Sequence, residues 1–102
     1  MFIGRVKGNV ITTQKVATMS ARKLLVVEPM QIDEKTGQFK PTGRCLVAVD
    51  NIGSGADEIV LVTQGSSARM TESTADAPVD CVVIGIIDAV NACGKSVYRK
   101  QA

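Results

Sequence analysis

Ile59-Val60-Leu61-Val62-Thr63-Gln64-Gly65-Ser66-Ser67-Ala68-Arg69 joins an almost wholly apolar run to a compact glycine-serine turn that ends on arginine. A short run rich in Val, Ile and Leu, bounded by turn residues, reads as a strand. Apolar residues at odd and even positions alike mean that both faces of that strand avoid water. The turn after it is more distinctive. Gly65 permits backbone angles closed to other residues, Ser66 and Ser67 can bond nearby amides, and Arg69 supplies a planar fork of donors suited to a carboxylate. Ser66 is placed to start a short helical turn reaching about Glu72, although Arg69 stands where a capping box needs Glu or Gln.

The same strand pattern recurs on either side. Phe2 to Thr13 alternates, with Phe2, Gly4, Val6, Gly8 and Val10 on one face and Ile3, Arg5, Lys7 and Asn9 on the other, a strand with one wet face. Gly4 and Gly8 on the apolar face suit a coiled strand that bends round a small barrel. Gln14 to Ala21 is a polar loop, with Met19 as cover for one end of the barrel. Lys23 to Glu28 is a second strand, apolar on both faces, and Pro29 confines its end to an edge or an exit. Gln31 to Gly43 carries two clusters of turn residues and reads as a long exposed connection. Cys45 to Val49 is a third strand, Gly53 to Asp57 a flexible turn, and Glu58 to Thr63 the fourth strand. Thr71 to Ala77 is a polar loop. Cys81 to Ile87 forms a fifth strand, again apolar on both faces; Asn91 to Gly94 turns the chain, and Ser96 to Tyr98 adds a short edge pairing.

No long amphipathic helix and no internal repeat interrupts this series. Strands apolar on both faces are usual where helices cover a sheet, and this chain has no such helices. The expectation is therefore one mainly all-β domain over residues 1–102, a small closed barrel of five strands. One face of each strand fills the barrel and the other needs a cover. Leaving Leu25, Val27, Val83 and Ile87 in water would forfeit roughly 1.5 to 3 kcal/mol each, so an oligomer is expected.

Composition narrows the function by exclusion. The chain has no histidine, which removes Ser-His and Cys-His catalysis and most zinc sites. Cys45, Cys81 and Cys93 form no C-x-x-C pair and read as buried free thiols of a reducing cytosol. Gly94-Lys95-Ser96 lacks the upstream glycine of a phosphate loop, since Ala89 stands there. Aromatic residues make up 3% of the chain, and Phe2, Phe39 and Tyr98 are too few to stack bases along a basic groove. No run approaches membrane-spanning length, and the start of the chain enters strand alternation directly, so a cytoplasmic protein is expected. Net charge is +2, but residues 1–49 hold eight Lys or Arg against three acids, whereas residues 50–88 hold Arg69 alone against seven acids. Such asymmetry gives a subunit a basic and an acidic edge.

Val47 to Arg69, VAVDNIGSGADEIVLVTQGSSAR, together with GRVKGNV at residues 4–10, KLLVVEPM at 23–30 and PVDCVVIGIIDAV at 78–90, resembles the EutN/CcmL family of bacterial microcompartment vertex proteins. The likeness covers almost the whole chain, and GSSAR with PVD and IGIID is its most specific part. It implies an OB-like barrel assembled into cyclic homopentamers at the corners of a polyhedral shell, where five-fold units close a surface otherwise tiled by hexagonal shell proteins. It implies neither a catalytic site nor a cofactor, and the composition leads us to expect no metal, nucleic acid or membrane. On this reading Gly65, Ser66, Ser67, Ala68 and Arg69 lie at a subunit junction, with Arg69 facing Asp50 or Asp88, each at a strand end. Asn51, Gly53, Ser54, Gly55 and Asp57 form a loop near the five-fold axis and line a polar, somewhat acidic pore. Ala56-Asp57 stands where the family commonly has glycine, as does Ser20-Ala21. The alternative class is an OB-like module binding single-stranded nucleic acid or a protein partner.

Overall fold

The computed structural model describes residues 1–13, 15–19, 22–70 and 79–101, with the side chains of Ser67 and Arg69 outside that description. Along the described chain run β1 (Phe2–Val10), β2 (Lys23–Ile32), β3 (Phe39–Pro41), β4 (Leu46–Asp50), β5 (Ile59–Gln64), β6 (Cys81–Ile86), β7 (Ala89–Ala92) and β8 (Lys95–Arg99). Short 3₁₀ turns occupy Ala17–Met19 and Gly65–Arg69. The sheet order β1-β5-β6-β4-β2 is closed by pairing of β2 with β1, which makes a five-stranded barrel. Its neighbours are antiparallel except β4 and β6, which run parallel at Val49–Val82 and Asp50–Val83. This is the OB-like, all-β architecture expected from the strand series.

Side-chain alternation decides what fills the barrel. Val6, Leu25, Val27, Ala48, Val60, Val62, Cys81 and Val83 form the inner core, with Phe2 and Ile86 packed against it. The expectation that Leu25, Val27 and Val83 need a second subunit is thereby corrected, since they are 2%, 0% and 0% exposed inside their own barrel. The outward phase of the same strands has a cover of its own. Val49 and Val82 form a second cluster with Ala68 and Val79, against which Met19, Leu24 and Ile84 pack. Met19 therefore lies over the outer face of the barrel rather than across its end, because the turn that carries it folds back on β2 and β4.

A bulge resets the phase of β6. Val62 pairs with Val83 and Leu61 with Gly85, so Ile84 is an extra residue on β6. Ile84 and Gly85 both turn outward there, and Ile86 returns to the interior opposite Val60.

Pro29 does not end β2. The strand leaves the barrel there: its pairing with β1 stops at Gly4–Pro29, and beyond it Met30 to Ile32 pair with β3. The connection from Gln31 to Gly43 is thus a hairpin. Asp33 shapes its turn by accepting from the amides of Lys35 at 2.9 Å and Thr36 at 3.4 Å. The β7–β8 hairpin, which turns at Cys93-Gly94 with Asn91 still in β7, docks on that turn: Lys95 Nζ donates to Thr36 O at 3.0 Å. Phe39 and Tyr98 pack on each other with ring centroids 5.7 Å apart. Cys81 is buried as expected, but Cys45 and Cys93 are exposed, because one precedes β4 and the other forms a hairpin turn.

Gly4 explains itself by space. A Cβ there would lie 2.3 Å from Val27 Cγ1 and 3.3 Å from Phe2 Cε1, inside the packed core. Gly4→Ala is expected to cost about 1–3 kcal/mol through overpacking, read as a lower urea midpoint at unchanged slope.

Candidate functional site

Of the residues expected to act at the surface, Gly65 to Arg69 form a clamped turn. Gly65 takes the left-handed conformation, with φ 68°, that a glycine accepts without strain. Its amide donates to Asp80 O at 2.8 Å and ties the turn to the start of β6. Ala68 is 0% exposed and packs with Val49, Val79 and Val82. This alanine holds the turn from within. Gly65 and Ser66 are exposed. The expected continuation of the turn beyond Met70 to Glu72, and the loop from Thr71 to Ala77, lie outside the described residues.

The loop from Asn51 to Asp57 is pinned rather than flexible. Asp50, at the end of β4, accepts through Oδ1 from the amides of Ile52 at 3.2 Å and Gly53 at 3.1 Å and from the Ser54 hydroxyl at 3.0 Å. Its side chain is only 1% exposed, and Oδ2 has no hydrogen bond among the described residues, with Lys23 Nζ 3.7 Å away. Lys23 also donates to Ser54 O at 3.1 Å, so one ammonium spans the carboxylate and the loop. Ser54 is fully buried, whereas Asn51, Gly53 and Asp57 are exposed and Gly55 is half-buried.

The far side of the loop is held by Glu58. Its Oε1 accepts from the Gly55 amide and its Oε2 pairs with Lys100 Nζ at 2.9 Å. Asp57 adopts φ 66°, which Asp tolerates better than most side chains. Its amide donates to Val6 O at 2.8 Å, and its own carbonyl accepts from Arg5 Nη1 at 3.3 Å. Asp50 as anchor of this loop is the residue sequence reasoning missed. The signal was present in Asp50-Asn51-Ile52-Gly53-Ser54, an aspartate followed by amides and a hydroxyl within reach of its side chain.

The electrostatics follow from these contacts. Burial pushes the Asp50 carboxyl up, but the amides of Ile52, Ser54 and Gly53 and the Ser54 hydroxyl outweigh it and hold the group below its ordinary 3.8. The hydrogen bond from Lys100, followed by that from the Gly55 amide, holds Glu58 below its ordinary 4.5, and the same contact with Glu58 raises Lys100 above 10.5. Asp88 is exposed past the end of β6, and its carbonyl accepts from the Lys100 amide at 2.7 Å. Among the described residues no group of three or more Cys, Asp or Glu is placed to hold a metal ion. No described helix is long and apolar enough to cross a membrane.

A closed OB-like barrel with braced surface loops and a C-terminal hairpin defines a class of small β-barrel building blocks. The family model described as ethanolamine utilisation protein EutN/carboxysome matches residues 1–88, and the chain belongs to that EutN/CcmL family. It is 42% identical over 101 residues to the carboxysome shell vertex protein CcmL of Gloeobacter violaceus, covering 99% of this chain and 96% of that protein. Against the bacterial microcompartment shell vertex protein EutN of Salmonella typhimurium the identity is 43% over 100 residues, covering 98% of this chain and 96% of that protein. The solved Gloeobacter violaceus CcmL superposes with a TM-score of 0.86 at 43% identity, over 98% of each chain. The pentameric microcompartment shell protein GrpN of Rhodospirillum rubrum superposes with a TM-score of 0.72 at 41% identity, over 90% of this chain and all of that one.

A carboxyl held below its ordinary value stabilises the fold above that value and loses its contribution as pH falls through the lower folded one. Asp50→Asn is therefore expected to lower stability at pH 7 by about 1–3 kcal/mol, the worth of hydrogen bonds to a charged group. The gap to wild type should shrink as pH falls below 3.8 and on through the folded value, because a protonated Asp50 then resembles the asparagine. Urea titrations at pH 7 and at pH 3 measure both.

Proposed function

We propose that this chain is a structural subunit that assembles into cyclic homopentamers and caps the vertices of a bacterial microcompartment shell in the cytoplasm. The observation that carries the reading is a likeness to shell vertex proteins that runs the full length of the barrel and its hairpin, one of those neighbours being pentameric by its own description. Hexagonal shell proteins are the partners, and the five-fold unit supplies the curvature that closes them. The role is mechanical, without catalysis or cofactor, which suits a chain lacking histidine. The mutual packing of Phe39 and Tyr98, which turns two aromatic rings on each other rather than toward a strand of bases, favours this reading over an OB-like binding module.

Within the ring we place the turn of Gly65, Ser66, Ser67 and Arg69 at the subunit junction. Asp88 is the acid proposed to receive the Arg69 guanidinium across it; the Asp50 carboxylate is buried and engaged with its own loop. The exposed Asn51, Gly53 and Asp57 face the five-fold axis, and Ser54 and Gly55 shape the loop behind them.

Native mass spectrometry of the wild-type chain is expected to give five times the subunit mass; a monomer overturns the ring. Arg69→Glu is expected to weaken the ring at least tenfold, and adding Asp88→Arg to restore it. A ring untouched by Arg69→Glu removes the junction role.

A further inference from the structure

The outside of the barrel carries two apolar areas that no described residue covers. The first is a stripe across three strands. Ile3 of β1 stands opposite Leu61 of β5, and Leu61 opposite Gly85 of β6. Their neighbours Val60, Val62 and Ile86 belong to the inner core, so these three face out, and each stays half-buried.

Gly85 gives the stripe a direction of reading. Unlike Gly65 and the hairpin glycines it has no positive φ, and a Cβ there would meet only Leu61 Cβ at 3.7 Å, an ordinary contact. Nothing described within the chain requires a glycine at this position. Glycine weakens a strand interior, and one without a local cause marks a place where another backbone or a ligand comes close.

The second area is a groove of about 220 Å³ at β4, lined by the outward Met19, Leu24, Val47, Val49, Val79 and Asp80 and reaching Ala48 and Cys81 of the inner core. Val47 is 51% exposed, and its cross-strand partner Val26 is half-buried beside it. The charges beside the two areas are opposite. Outward on β1, after Ile3, come Arg5, which donates to Asp57 O at 3.3 Å, and the exposed Lys7, 4.0 Å from Glu28 of its own chain, whereas the exposed Asp80 forms the rim of the groove.

We infer that the stripe of one subunit seats in the groove of a second copy of this chain, with Leu61 entering between Met19, Leu24 and Val47. Gly85 lets the neighbour's backbone approach, and Arg5 and Lys7 face the neighbour's Asp80. The inference rests on the ring proposed above and supplies its contact. Two different patches meet head to tail, the arrangement that closes into a ring when the rotation permits. The Arg69–Asp88 pairing falls on the same contact: Ala68 packs against Val79 at the groove, and Asp88 follows Gly85 by three residues.

The test uses Gly85→Lys, which blocks the stripe, and Val47→Asp, which blocks the groove, each checked by far-UV circular dichroism; Gly85→Ser replaces the lysine variant if that fails to fold. By native mass spectrometry each variant alone is expected to lose the ring, its half-dissociation concentration rising at least tenfold. An equimolar mixture of the two is expected to give a one-to-one dimer, since one intact stripe then meets one intact groove. A ring retained by either variant overturns the contact, as do two monomers whose mixture gives no dimer. Variants that keep the ring but lose binding to hexagonal shell proteins also overturn it and assign the area to those proteins. A monomeric wild type would instead strike the ring reading itself.

Discussion

A barrel of five strands encloses a narrow interior that inward side chains fill, and that limit governs where the other apolar residues go. Valine dominates the interior, with Leu25, Ala48 and Cys81 as the remaining fully enclosed members and no aromatic ring among them. The chain is 45% hydrophobic, more than this interior can take. The surplus is carried on the outward phase of the same strands. Part of it is roofed by Met19, Ala68 and Val79, each delivered by a short turn or a strand entry, and part has no roof among the described residues.

This explains how much of the fold was legible beforehand and where the reading slipped. Strand positions follow from runs of β-branched residues and their turn punctuation, so β1, β4, β5 and β6 fall within a residue or two of expectation, apart from the far end of β1. Which residues of a doubly apolar strand point inward is a different matter. Polarity marks the faces of β1, where Arg5 and Lys7 declare the wet side, but Leu24-Leu25-Val26-Val27 gives no such contrast. Nothing in that run shows that Leu25 and Val27 are sealed inside while Leu24 and Val26, with Val47 beside them, face out. The bulge at Ile84 is equally silent in sequence, since it is defined by what stands opposite on β5.

The candidate site divides along the same line. The Gly65 turn is legible because its glycine acts through local backbone geometry, whereas the burial of Ala68 rests on Val49, Val79 and Val82 from other parts of the chain. The loop after β4 looked flexible because Gly53-Ser54-Gly55 is a composition found in linkers. In the fold Asp50 and Glu58, the carboxylates at its two ends, bind loop amides within three residues of themselves, contacts that the local sequence contains. The further bracing comes from partners distant in sequence, since Lys23 lies 31 positions from Ser54 and Lys100 lies 42 from Glu58, and no window of local sequence holds both ends of those two contacts.

A subunit whose work is assembly has to make stiffness and adhesion with one set of strands. The inner phase of β5 and β6 makes the barrel rigid, since Val60, Val62 and Val83 are sealed from water. The outer phase of the same two strands, Leu61 and Gly85, is half-buried, with no cover among the described residues. Only the bulge lets both demands be met on β6, because it turns two successive residues outward without removing Ile86 from the core. An alternating β6 without it would put Gly85 inside the barrel and Ile86 on the surface, leaving a void within and a bulky side chain where close approach is needed. The position of one extra residue in β6 thus links the packing of the interior to the shape of the surface offered to a neighbour.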